Sequence, residues 1–206
     1  QATQRPILRG YSGDRFLITS DGFELGDMSN TTADHAVSME ISAADGVEVM
    51  RGPETLVYGS NTIAGIINII TQFKNPKKLS STNYKLLFGH ESSNQSNLIG
   101  SDINIPLKNY QLSMSFNDRS ANNQSSPVGI LENTALDKND LTLGLTKFGE
   151  KDLISVEFKN FTMDYGIPGS PEGHINGVDL ALKNQTQKLK YHSDINFMSF
   201  NILDLE

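Results

Sequence analysis

The chain contains no cysteine and no tryptophan among its 206 residues. Without cysteine there is no disulfide framework and no thiolate metal site, although no compartment is assigned by that absence. Long apolar runs are missing as well: none reaches the ~18 residues of a transmembrane helix. Basic runs are equally scarce. Lys77-Lys78 is the only adjacent basic pair, and the formal net charge is -7. A nucleic-acid partner is excluded, because no stripe of cations could neutralise a phosphate backbone. No succession of charged, apolar and cleavage-site residues opens the chain, so no signal peptide is read there. The four histidines, His35, His90, His174 and His192, form no H-x-x-x-H pair, which leaves zinc without its usual ligand spacing. Neither G-x-S-x-G nor H-E-x-x-H occurs, and the residues point away from an enzyme and from any bound cofactor. Apolar residues make up 37% of the chain, lean against the about 45–50% of soluble domains when glycine is counted.

What is present is strand and turn. Residues 1–72 mix short apolar runs (Phe16-Leu17-Ile18, Val47-Glu48-Val49, Ile66-Ile67-Asn68-Ile69-Ile70) with turn signals such as Asp21-Gly22. A short helix is expected around Ala33–Met39. Residues 73–79, containing Asn75-Pro76-Lys77-Lys78, read as a polar linker. Residues 80–206 then alternate with period two. Tyr110, Leu112, Met114 and Phe116 oppose Gln111, Ser113, Ser115 and Asn117; Ile154, Val156 and Phe158 oppose Ser155, Glu157 and Lys159. Strands are predicted near 83–90, 97–107, 109–118, 139–148, 152–164, 177–191 and 195–204. The joins alternate between short (Lys108-Asn109, Gly149 to Asp152) and long (Ser120 to Asp137), as in outer-membrane barrels. The same alternation suits a soluble or surface-exposed antiparallel β-sandwich binding module. Met114→Asp with Phe116→Asp separates the two. Core positions of a sandwich would lose folding in water, whereas lipid-facing positions would lose membrane insertion.

One stretch carries a specific resemblance. Val47-Glu48-Val49-Met50-Arg51-Gly52-Pro53, then Tyr58-Gly59, then Gly65-Ile66-Ile67-Asn68-Ile69-Ile70-Thr71 resembles, in order and without gaps, the plug signature of TonB-dependent outer-membrane receptors. Arg5-Pro6-Ile7-Leu8-Arg9-Gly10, Arg15-Phe16-Leu17-Ile18 with Asp21-Gly22, and Asp164-Tyr165-Gly166-Ile167-Pro168-Gly169 are similar to further family motifs. Two departures occur: Asp45-Gly46 stands where Glu-Arg is common, and Ala64-Gly65 where a Gly-Gly pair is usual.

The resemblance implies a mainly β fold: a mixed α+β plug remnant (1–72), the linker (73–79), and the first antiparallel strands of an incomplete transmembrane barrel (80–206). It implies energy-coupled uptake of a scarce nutrient (a metal chelate, siderophore or vitamin, with zinc a branch-specific option) across an outer membrane of the Gram-negative type. The implied partners are an inner-membrane TonB complex acting through a segment before this chain, outer-membrane lipid and the ligand itself. Arg9 and Arg51 match arginines that lock the plug to glutamates of later strands, and a guanidinium inside a barrel would seek such bidentate partners. Gly52, Pro53, Tyr58, Gly59, Gly65 and Asn68 are read as structural. His174, beside the Ile-Pro-Gly motif, is the one weak metal candidate. Plugged barrels of about 22 strands, each of about 9–11 residues, need on the order of 200–240 residues for strands alone. Seven predicted strands therefore imply an internal piece of a longer receptor.

Overall fold

The computed structural model describes residues 7–8, 10–11, 15–26, 35–39, 41, 44–58, 62, 64–171, 173–194 and 203–205. They form two main sheets. The small one contains β1 (Phe16–Ser20), β2 (Phe23–Glu24), β3 (Gly46–Met50) and β4 (Gly65–Ile70), in the spatial order β2-β1-β4-β3. β1 and β4 run parallel, and the outer pairs are antiparallel. β1 and β4 lie at the centre because their apolar runs are nearly unbroken, which suits strands covered on both faces. Phe16, Ile18 and Ala64 form the core of this unit, with Leu8, Leu25, Val37 and Ile67 packed around them. Asp21 (φ 58°) and Gly22 (φ 97°) close the β1–β2 hairpin. Positive φ at both positions is the two-residue turn that Asp-Gly favours.

The large sheet contains β5 (Asn83–Glu91), β6 (Ser96–Leu107), β7 (Tyr110–Ala121), β10 (Leu136–Phe148), β11 (Asp152–Ile167), β12 (Val178–Ser193) and β13 (Leu203–Leu205). Each is antiparallel to its neighbours in the order β13-β12-β11-β10-β7-β6-β5. A separate hairpin, β8 (Gln124–Ser126) with β9 (Gly129–Leu131), occupies the long join between β7 and β10. Lys108-Asn109 makes the expected two-residue turn, with Leu107 opposite Tyr110 and Lys108 at φ 55°. Gly149 and Asp152 close the next turn through a 2.7 Å backbone bond. The predicted strand at 195–204 lies largely outside the described residues, and only β13 falls within them.

Registers assign every side chain to a face. Tyr84, Ile103, Met114, Leu143 and Phe158 form one row across five strands; Ile105, Leu112, Leu145, Val156 and Leu189 form another. Most of these apolar residues are exposed, Tyr84 at 72%. The opposite face carries Asn104, Gln111, Asn117, Thr146 and Ser155, all buried. The polarity is inside out. A sandwich would bury the apolar face, and among the described residues no second sheet covers it.

Beyond Phe158 the pattern reverses. Phe161, Met163 and Tyr165 point inward and are buried with Leu136 and Ala121, while Asn160, Thr162 and Asp164 take the other face. On β7 the outward apolar run Tyr110–Phe116 spans roughly 20 Å at ~3.4 Å per residue, close to the ~25 Å band of a membrane barrel.

The helix expected at Ala33–Met39 does not form over the described part, 35–39, where the backbone is irregular. The Ala36 amide donates instead to Tyr165 Oη at 3.0 Å. A side chain of the large sheet thus satisfies this amide. The only described helix is a 3₁₀ segment, Pro53–Tyr58.

Candidate functional site

Where the small unit meets the large sheet, polar groups that water would otherwise solvate have been buried together. Asp21 sits at the tip of the β1–β2 hairpin and is fully buried. Its Oδ1 accepts from the Thr71 amide at 2.7 Å, and its Oδ2 from Thr71 Oγ1 at 2.9 Å. Lys188 of β12 reaches the same carboxylate at 2.7 Å. The ammonium group also meets Glu157 of β11 at 3.3 Å and donates to Ser20 Oγ at 3.2 Å. The Phe23 and Phe73 rings flank it at 5.8 and 5.3 Å from their centroids. Burying a charge is costly unless it is paired and hydrogen-bonded, and here both conditions are met.

Four further bonds run to the same two strands. Lys190 Nζ donates to the Lys74 carbonyl at 2.9 Å, and Asn184 Nδ2 to the Leu25 carbonyl at 2.7 Å and to Ser38 Oγ at 2.9 Å. The fourth is the bond from Ala36 to Tyr165. Asn184, Lys188 and Lys190 are even-numbered positions of β12, so one strand face presents them all.

The signature residues build the scaffold behind this contact. Asn68 is buried on β4; its Oδ1 accepts from Thr19 Oγ1 and from the Gly22 amide, each at 2.9 Å, and its Nδ2 donates to Glu48 at 3.3 Å. It holds the hairpin that carries Asp21. Asn68→Ala strands the Thr19 hydroxyl and the Gly22 amide, and should cost about 1–3 kcal/mol. Limited proteolysis of the full-length protein is expected to cut near residues 21–22 sooner in this variant; an unchanged cleavage rate would contradict the role.

Gly65 adopts φ 130°, and a Cβ there would lie 2.6 Å from the Met50 carbonyl oxygen, so the turn into β4 requires glycine. Gly52 (φ 82°) precedes the 3₁₀ segment that begins at Pro53, and the Thr55 hydroxyl donates back to the Gly52 carbonyl at 2.8 Å. Tyr58 ends that segment half-buried. Arg9 and Gly59 lie outside the described residues. Arg51 is exposed, and among the described residues no carboxylate pairs with it.

His174 is exposed on the loop between β11 and β12, where its carbonyl accepts from the Ser170 and Gly177 amides. Among the described residues no group of three His, Asp or Glu side chains gathers around a point where a metal could sit.

Between the small unit and strands β5, β6, β7 and β10 lies a cavity of about 210 Å³, lined by Asp45 and Thr71 on one side and by Lys85, Asp102, Asn104 and Ser113 among others on the wall. Asp45 stands at its rim. Partial burial, then the carboxylates of Asp102 and Asp21, push its carboxyl above the ordinary range, opposed by Lys77 and Lys85.

Residues 1–66 match the family model of the TonB-dependent receptor plug domain. Solved structures extend the likeness across the chain. The copper transporter OprC shares 17% identity at a TM-score of 0.77, over 97% of this chain and 30% of its own. The FrpB iron transporter from Neisseria meningitidis gives 16% and 0.73, over 98% and 34%. The siderophore receptor PirA from Acinetobacter baumannii gives 17% and 0.68, over 91% and 31%. The chain thus spans about a third of the length of these structures. The likeness in fold takes in both sheets, and the large one ends at β5 on one side and β13 on the other among the described residues.

The sequence did not single out Lys188, Lys190 or Glu157 as site residues, and took Asp21 only as a turn. One signal was available. On β12 the face that carries Leu180 and Leu182 also carries Lys188 and Lys190, and two lysines in line with inward-facing leucines demand buried partners.

Proposed function

We propose that the chain is part of an energy-coupled outer-membrane receptor that imports a scarce nutrient: a metal chelate, a siderophore, a vitamin or zinc. The inside-out large sheet carries this reading. Its exposed apolar rows suit lipid, and its buried polar face suits a lumen occupied by a plug. The plug match on residues 1–66 supports it. Copper, iron and siderophore are named for three of the similar structures, which favours metal-bearing cargo here.

In this reading 1–72 is plug, 73–79 linker and 80–206 wall. A TonB complex of the inner membrane would act through a segment preceding this chain. Arg9 and Arg51 would pair with glutamates of later strands, and the receptor would carry out recognition and plug rearrangement without covalent chemistry.

The test is genetic. Deleting the parent gene should abolish growth on one scarce cargo among chelated iron, copper, zinc and cobalamin, with growth restored by the full-length gene. Growth unchanged on every such source would remove the proposal.

A further inference from the structure

The plug does not meet the wall evenly. On β11 and β12 it is pinned by the Asp21–Lys188 pair, by bonds from Lys190 and Asn184, and by the bond that Tyr165 Oη accepts from the Ala36 amide. Beside β5, β6, β7 and β10, and reaching Glu157 and Lys159 of β11, a cavity of about 210 Å³ separates the two. The gap exists because the wall is built there from short side chains, Ser113, Ser115, Thr142 and Gly144.

Its charges do not balance. Lys188 is shared between Asp21 and Glu157, and Lys159 is committed to Asp140 at 3.0 Å. Lys85 reaches Asp102 only at 3.9 Å. Asp45 faces this wall from the plug with the Asp102 charge acting against it. Asn104 lies two residues from Asp102 on the same face, is buried, and has a carbonyl oxygen that meets no donor. A buried acceptor without a partner costs free energy that a ligand bearing donors or positive charge would recover. A hydrated cation or a small alkylammonium group fits both the volume and the surplus of acceptors, whereas an anion would add to the repulsion.

We propose that the gap between the plug and strands β5 to β10 binds small cationic solutes in preference to anions. This rests on the receptor reading above and names the charge class that its lumen accepts beside the plug.

The absence of native cysteine in this chain supplies the test. In the full-length receptor, cleared of any other cysteines, Ser113→Cys places a thiol on the cavity wall. Val128→Cys places a reference thiol on the β8–β9 hairpin, where Val128 is 97% exposed. Intact cells are treated with a trimethylammonium-bearing thiosulfonate or a sulfonate-bearing one, and the two labelling rates are compared at each position. The cation-to-anion rate ratio at residue 113 should exceed that at residue 128 on the order of tenfold, because an acidic cleft concentrates cations. Replacing Asp45 and Asp102 together by asparagine should bring the two ratios close to each other. Equal ratios in the unmodified cavity, a preference for the anion, or no labelling at residue 113 by either reagent would overturn the inference. If residue 128 labels from outside and the ratio is flat, only the cation inference falls. If residue 128 cannot be reached, the receptor reading falls and takes the inference with it.

Discussion

Lys188→Ala is expected to destabilise the contact between the small unit and the large sheet by about 3–5 kcal/mol, the cost of breaking a buried ion pair from one side. The removed ammonium group serves two carboxylates, Asp21 at 2.7 Å and Glu157 at 3.3 Å. Without it, Asp21 keeps its two bonds from Thr71 but loses its countercharge in a fully buried setting. Glu157 then adds repulsion in place of a shared cation. Lys188→Met retains most of the volume and should cost nearly as much, which separates charge from packing. Pairing Lys188→Met with Asp21→Asn should recover part of the loss, because neighbouring groups of one network do not add. Denaturant unfolding of the full-length protein in lipid vesicles, with hydrogen exchange of β1 as the local probe, measures all three. A loss below about 1 kcal/mol would show a pair no better than an exposed one, and the tether would lose its meaning.

Leu143→Arg should prevent assembly in a bilayer while Thr142→Arg does not. The two positions are adjacent, and the alternation of β10 places them on opposite faces. Leu143 lies in the outward row with Tyr84, Ile103, Met114 and Phe158, and an arginine at such a depth costs about 2–4 kcal/mol against lipid. Thr142 lines the polar cavity, where a guanidinium finds carboxylates and room. The measure is the fraction of full-length protein reaching the compact, heat-modifiable form in vesicles. If both variants assemble equally, the exposed apolar rows do not face lipid. If Thr142→Arg is the one that fails, the sheet has been read with its faces reversed.

Much of this architecture was legible before any coordinates, for a physical reason. A strand exposes its faces alternately, so the environment of each face is written at every second residue. That periodicity located β5, β6, β7, β10 and β11 within a few residues, and it separated Leu141, Leu143 and Leu145 from Thr142, Gly144 and Thr146. Turn chemistry was equally local. Asp21-Gly22 and Lys108-Asn109 carry their backbone angles in their own side chains and neighbours. The helix expected at 33–39 did not form over its described part, where the Ala36 amide meets Tyr165, 129 residues away, a contact that no local pattern announces.

The pattern of polar and apolar residues by itself determined that there would be a plug-like turn unit followed by amphipathic antiparallel strands. It could not say which face of those strands would be buried, since a sandwich and a barrel share the same alternation. Only the tertiary structure decided that, by packing the small sheet against the polar side. It also decided that Asp21 would meet Lys188 across 167 residues and that a cavity would remain beside β5 to β10. Pairings of this kind leave no local trace. A lysine on a strand reads the same whether water or a buried carboxylate receives it, and only the approach of the two sheets distinguishes the cases.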